Sequence, residues 1–360
     1  MIVGLSLADL SQRLIDDARA HRDFVADTRT LEAGVADGKP VVQFSAGSEQ
    51  LVVAPTQHAL RQIGTHTDIP AKYLDRMAAE APELLAANIN HWFRANAAPR
   101  MLRTKLNGSS TLRAFLSNKY RPLDNVDLAN AVLPELLAPG WHVVSAQITE
   151  ARFYIQAVSN KLEAQVKHAQ RTGRKGDVLQ PGVVISNSEI GHGRLDVASM
   201  ILTLSCLNGM ISGSALRRNH VGRANGGGRD DEDAWELFSD EARQADDRAL
   251  WLKVRDTVRS AVDERLFFRL VEKLNVATGD AIDDPASTVE VTAKRFGLSE
   301  DEQHSVLEHL ARGGDLTRYG LLNAVTRTAE DATSYDRAIE LERVGGEILE
   351  LPASALLRLN

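Results

Sequence analysis

The stretch WHVVSAQITEARFYIQAVS, residues 141–159, decides the fold. Trp141 to Gln147 and Arg152 to Val158 are runs of β-branched, aromatic and apolar residues joined by a short Ile-Thr-Glu-Ala link, the pattern of consecutive strands in an antiparallel sheet. Successive side chains of a strand fall on opposite faces. Phe153, Ile155 and Ala157 therefore share a core face. Arg152, Tyr154 and Gln156 share the other, where a cation beside an aromatic suits either base stacking or a solvated surface.

Working outward, Thr111 to Leu116 alternates as a strand, and Gly182 to Ser186 and Val197 to Leu204 are apolar runs bounded by glycine and asparagine. One helix, Val126 to Leu137, interrupts them, with Asp124 or Asn125 to cap it and Pro139-Gly140 to stop it. Upstream, Ser6 to Ala20 has helical spacing and Pro40 to Val53 reads as a hairpin around Gly47-Ser48. Two helices follow, one from Thr56 or Gln57 to about Gly64 and one opened by Asp68 and Pro70. Downstream, Asp246 to Leu274 predicts one long amphipathic helix. Val289 to Phe296 and Glu300 to Leu310, with Ser299 as a cap, predict a helical pair whose second helix opens on three carboxylates and so suits packing better than reading bases. Asp331 to Arg343 predicts a last helix, and a short strand is expected near Ile348. The expected fold class is α+β: a central antiparallel β-sheet with helices, followed by a mainly helical C-terminal region. The expected regions are a small α+β unit over 1–99, a basic β-rich core over 100–229, an acidic junction with the long helix over 230–284, and a helical segment over 285–360.

Composition narrows the class. With 43% hydrophobic residues and a net charge of 42 minus 49, or -7, the chain is neither disordered nor, lacking a run of roughly 18 apolar residues, membrane-spanning. A single cysteine, Cys206, and an early acidic N-terminus without a signal-peptide pattern lead us to expect a cytoplasmic protein. The charge is uneven. Residues 100–229 carry 17 Lys and Arg against 8 Asp and Glu, a net of +9, while the rest carries 25 against 41, a net of -16.

The positive charges fall in three clusters suited to phosphate oxygens. The first holds Arg100, Arg103, Lys105, Arg113, Lys119 and Arg121, with Tyr120 between cations as single-strand binding requires. The second holds Lys161, Lys167, Arg171, Arg174 and Lys175, and the third Arg217, Arg218, His220 and Arg223. The alternative is a solvated basic face that pairs with the acidic flanks. No zinc, thiol, serine-elbow or phosphate-loop motif is present, so no catalytic residue and no cofactor are expected. Asp177, Glu189, His192 and Asp196 are the residues on which a metal-dependent nuclease would rest.

The motifs Gln57-His58-Ala59-Leu60, Ile69-Pro70-Ala71-Lys72-Tyr73, Leu112-Arg113-Ala114-Phe115-Leu116-Ser117, Tyr120-Arg121-Pro122-Leu123-Asp124, Gly182-Val183-Val184-Ile185-Ser186-Asn187-Ser188-Glu189, Cys206-Leu207-Asn208-Gly209-Met210 and Tyr319-Gly320-Leu321-Leu322-Asn323-Ala324-Val325-Thr326 run nearly end to end along the chain. With them the chain resembles the phage/plasmid-like protein family of unknown function, carried by bacterial prophages and plasmids. The resemblance implies a setting in mobile elements and no particular chemistry. From that setting and the basic clusters, the expectation is a sequence-tolerant single-stranded DNA-binding protein, acting as a homo-oligomer in annealing or recombination. The rivals are a metal-dependent nuclease and a factor that binds a host protein.

Overall fold

The computed structural model describes residues 4–166, 176–204, 207–218, 239–352 and 355. The chain is α+β, with two mostly antiparallel sheets and a helical C-terminal region. The first sheet is formed by β1 (His21–Asp27), β2 (Glu32–Ala36), β3 (Lys39–Ala46), β4 (Glu49–Pro55), β5 (Pro99–Asn107) and β6 (Ser109–Ser117), in the order β1-β5-β6-β4-β3-β2. Only β4 and β6 run parallel. Helices α2 (Gln57–His66), α3 (Ala71–Glu80) and α4 (Pro82–Ala95) cover one face, where Ile63, Leu74 and Phe93 meet Phe44, Leu102 and Leu112. Because β5 opens at Pro99 and pairs along its length with β1, the expected boundary at 99/100 falls inside this sheet.

The second sheet contains β7 (Trp141–Ile148), β8 (Phe153–Ser159), the short β9 (Ala164–Gln165), β10 (Val178–Asn187), β11 (Leu195–Thr203) and β12 (Asn208–Arg218), in the order β12-β11-β10-β8-β7 with β9 beside β10. It lies between helical layers. On one side α1 (Leu7–Ala20), α5 (Asn125–Leu136) and α6 (Asp240–Ser260) set Leu10, Val132 and Val254 against Phe153, Ile155 and Val183. On the other, α11 (Tyr335–Glu350) sets Tyr335 and Ile339 against Tyr154, Val184 and Met200. A sheet covered on both faces has no solvated side. This corrects the reading of β8, all of whose residues are buried. Tyr154 packs on Tyr335 and donates its hydroxyl to Asp336, and Gln156 donates to Glu342, so neither meets solvent or a base.

The C-terminal region adds α7 (Glu264–Ala277), α8 (Pro285–Phe296), α9 (Glu300–Gly313) and α10 (Arg318–Thr328). The expected single helix over 246–274 is two. The Asp263 carboxylate accepts the backbone N–H groups of Arg265 and Leu266, capping α7 and breaking the four-residue stripe. Leu250, Val254 and Val258 stay buried in α6, whereas α7 buries Phe267, Val271 and Leu274 and leaves Leu266 exposed. The α8–α9 pair forms as expected, with Gly297 left-handed at φ 62° and a capping box between Ser299 and Glu302. Arg337 bonds Glu302 and ties that acidic turn to α11. Ile348 is in α11 and not in a strand, because the helix continues through Gly345 and Gly346. Those glycines permit close packing: a Cβ at 346 would lie 1.9 Å from the Ile211 carbonyl oxygen of β12. No described helix is long and apolar enough to cross a membrane.

Candidate functional site

The turn at residues 188–194, between β10 and β11, forms the seam between the sheets. Ile190 is buried against Ala114 and Leu116 of β6. His58 Nε2 and Gln62 Nε2 of α2 lie 3.0 and 2.9 Å from its carbonyl oxygen. Gly191 turns the chain at φ 75°. Gly193 leaves room for the Arg152 guanidinium, which a Cβ would meet at 2.1 Å. A polar hollow lies on each side of this turn.

The outer one is a groove of about 670 Å³ lined by Tyr120, Arg152, His192, Arg194, Arg217 and Arg343, with Asp196 and Glu347. Four guanidinium groups thus face two carboxylates. They come from four places: the start of β8, the start of β11, the end of β12 and the middle of α11. Arg343 Nη2 reaches Asp196 Oδ2 at 2.6 Å, and Arg217, 53% exposed, comes only within 3.7 Å of Asp196 Oδ1. Arg152 donates to the His192 carbonyl oxygen at 3.2 Å. Tyr120 is half-buried and donates its hydroxyl to the Ser188 carbonyl oxygen at 3.2 Å. Burial pushes the Tyr120 hydroxyl pKa up, so the hydroxyl keeps its proton at neutral pH.

The expected contacts divide. Only the end of the first cluster meets the start of the third. Arg121 pairs with Asp246 at 2.5 Å and with Asp247, and Arg218 reaches the same Asp246 oxygen at 3.2 Å. Tyr120 and Arg217, their sequence neighbours, line the groove, and Lys119 is exposed. Arg103, Lys105 and Arg113 turn inward instead. Arg103 is 2% exposed and donates to Asp23 at 3.0 Å, Asp124 at 2.6 Å and the Glu189 carbonyl oxygen at 2.8 Å. Lys105 bonds Asp17 at 2.7 Å, and Arg113 bonds the Glu189 carboxylate. The buried Arg103 presents no donor to a phosphate, and the other two charges are already neutralised, which corrects the expectation that they contact a strand. Lys161 is exposed by the Gly140 turn, at the far end of the β7–β8 hairpin from Arg152. Lys167, Arg171, Arg174, Lys175, His220 and Arg223 lie outside the described residues.

The four nuclease candidates do not converge. Asp177 precedes β10 and accepts the Tyr319 hydroxyl at 2.9 Å, while Glu189 follows the other end of that strand. Glu189 is committed to Arg113 and to the Asn125 backbone N–H at 2.7 Å, and Asp196 to Arg343 and Arg217. His192 packs edge-on against His58. Among the described residues no three histidine, cysteine or acidic side chains gather as a metal site.

Sequence reasoning missed Arg194 and Arg343 and gave Arg152 the wrong setting. The Gly191-His192-Gly193 turn was the available signal for Arg194 and Arg152, since paired glycines mark a close backbone approach. Arg343 lay in a helix with no local sign of its distant partner. Comparison with protein-family models, curated proteins and solved structures returns no match.

Proposed function

We propose that this protein binds single-stranded nucleic acid, DNA in the first instance, through its phosphate backbone and without sequence preference. The observation that carries the reading is the convergence of Arg152, Arg194, Arg217 and Arg343 on one open groove. Guanidinium forks match phosphate oxygens, and phosphate contacts position a strand without reading its bases. The Tyr120 ring adds an aromatic wall of the kind on which a base can stack. The resemblance to phage- and plasmid-borne proteins favours the same reading, with annealing in the cytoplasm as its setting and self-association as the means of lengthening the groove along a strand.

The test is fluorescence anisotropy with a labelled single-stranded oligonucleotide over a salt series. The three guanidinium groups of the groove not already held by a close carboxylate, Arg152, Arg194 and Arg217, at about -0.7 each in log Kobs per log salt give a slope near -2.1, or roughly 20-fold weaker binding between 50 and 200 mM salt. The double substitution Arg194→Ala, Arg217→Ala reduces the slope by about 1.4. Absence of binding at low salt, or a slope unchanged by the substitutions, refutes the proposal.

A further inference from the structure

In α6, Arg248, Trp251, Leu252, Arg255 and Arg259 recur at intervals of three or four residues and so share one stripe of the helix. The helix packs by its opposite side, through Leu250, Val254 and Val258, which leaves the stripe facing outward. At 1.5 Å per residue the stripe runs about 16 Å. It forms one wall of a second groove, of about 650 Å³, whose other wall is Asn130, Ala131, Pro134 and Glu135 of α5. Trp251 is half-buried, packed partly on the core beneath α6 and lining the groove with the remainder.

The charges of this groove do not cancel. Its two carboxylates are both taken, Asp247 by Arg121 and Glu135 by Arg259 at 2.8 Å. Asp256 is outside the lining and comes no nearer than 4.0 Å to Arg259. Arg248 is exposed and Arg255 half-buried, and among the described residues neither forms an ion pair and Arg255 Nε has no hydrogen-bond partner. Glu135 is one carboxylate among three cations. The hydrogen bond from Arg259 holds its pKa below the ordinary value, and the charges of Arg259, Arg255 and Lys161 act in the same direction. Lys161, which lies apart from the outer groove, therefore adds to this basic surface.

The surface adjoins the outer groove. Arg121, which holds Asp247, follows Tyr120, and Arg218, which reaches Asp246, follows Arg217; Tyr120 and Arg217 line that groove. A strand that leaves the groove beside these residues meets α6 next. Arg248 and Arg255 stand two turns apart, about 10 Å along the helix, with the indole of Trp251 between them. Cations with an aromatic between them suit a polymer whose charges alternate with rings, as in a nucleic-acid strand, whereas an acidic peptide brings charges alone. We infer that α6 carries a bound strand onward from the outer groove, with phosphates at Arg248 and Arg255 and a base on Trp251. This rests on the nucleic-acid reading of that groove.

The experiment is fluorescence anisotropy of the full chain with labelled oligothymidylates of about 6 and about 25 nucleotides over a salt series, the shorter being the length of a single small site. The short strand is expected to show the slope of the outer groove, and the long one a slope steeper by about 1.4, from two further contacts at about 0.7 each. Arg248→Ala, Arg255→Ala removes that increment, roughly a sevenfold change in the affinity lost between 50 and 200 mM salt, and leaves the short strand's binding unchanged. Arg248→Glu, at an exposed position, gives a loss selective for the long strand without disturbing the half-buried Arg255. A long strand with the slope of the short one, or a loss in Arg248→Glu shared equally by both lengths, overturns the inference and leaves the groove standing. Absence of binding at either length overturns both. Labelled polyglutamate is titrated beside the strands: if the double substitution abolishes its binding and leaves that of the long strand untouched, the surface belongs to an acidic protein partner and the inference falls.

Discussion

Glu342 offers a sharp test of how α11 is seated. Its carboxylate is 1% exposed in the layer between α11 and the second sheet, and Oε2 accepts the Gln156 amide at 2.5 Å. Gln156 is linked through the Tyr335 hydroxyl to Ser145 at 2.7 Å. Burial raises the Glu342 pKa from 4.5 to about 7 despite the opposing effects of Gln156 and Arg343. The sign follows from linkage. Below pH 4.5 the group is protonated in both folded and unfolded chains and contributes nothing to the pH dependence. Between 4.5 and 7 the unfolded chain loses its proton while the folded chain keeps it, so stability falls as pH rises, and above 7 the loss is complete. The distance from 4.5 to about 7, at 1.36 kcal/mol per pH unit, amounts to about 3 kcal/mol. Glu342→Gln retains the shape and an acceptor for Gln156 while removing the titration. Urea unfolding of both proteins is expected to give equal stabilities at pH 4.5 and a variant more stable by about 3 kcal/mol at pH 8. A difference that does not vary with pH, or a variant less stable at pH 8, refutes the reasoning.

Three further outcomes follow from the same packing. Arg103→Met removes the partner of Asp23 and Asp124, whose carboxylates are 33% and 40% exposed and regain water, and is expected to cost about 1 to 2 kcal/mol in urea unfolding through the lost charge-assisted hydrogen bonds. Gly346→Ala is expected to lower thermal stability by about 3 kcal/mol because its Cβ meets the Ile211 carbonyl oxygen, whereas Gly313→Ala, with open space around it, is neutral or stabilising by about 0.5 kcal/mol. Asp246→Asn with Asp247→Asn removes two negative charges beside Arg121 and Arg218 and is expected to tighten single-stranded oligonucleotide binding several-fold in the anisotropy assay.

Elements with local causes were legible in the sequence. Ser6 caps α1 and accepts the Asp9 N–H, Gly47 takes φ 66° at the β3–β4 turn, and Asp124 opens α5. The partnership of β1 with β5 was not legible, because their pairing joins residues about 80 positions apart and leaves no short-range signal. The two buried faces of β8 were hidden for the same reason: α11, which covers one of them, arrives some 180 residues later. Counting charge by segment located the basic region but could not tell an exposed arginine from a paired one. Arg103 and Arg217 look alike in sequence, yet one is enclosed by carboxylates near in space and the other is 53% exposed. The groove itself depends on Arg343, which only the tertiary fold brings to Asp196.

The location of a bound strand is tested most directly by ultraviolet cross-linking of a single-stranded oligonucleotide to the full chain, with the modified peptides mapped by mass spectrometry. The account predicts cross-links to the peptides that carry Tyr120 and His192, lost on Arg194→Ala, Arg217→Ala. Cross-links confined to other surfaces, such as the exposed Trp92 of α4 or Phe268 of α7, would contradict it.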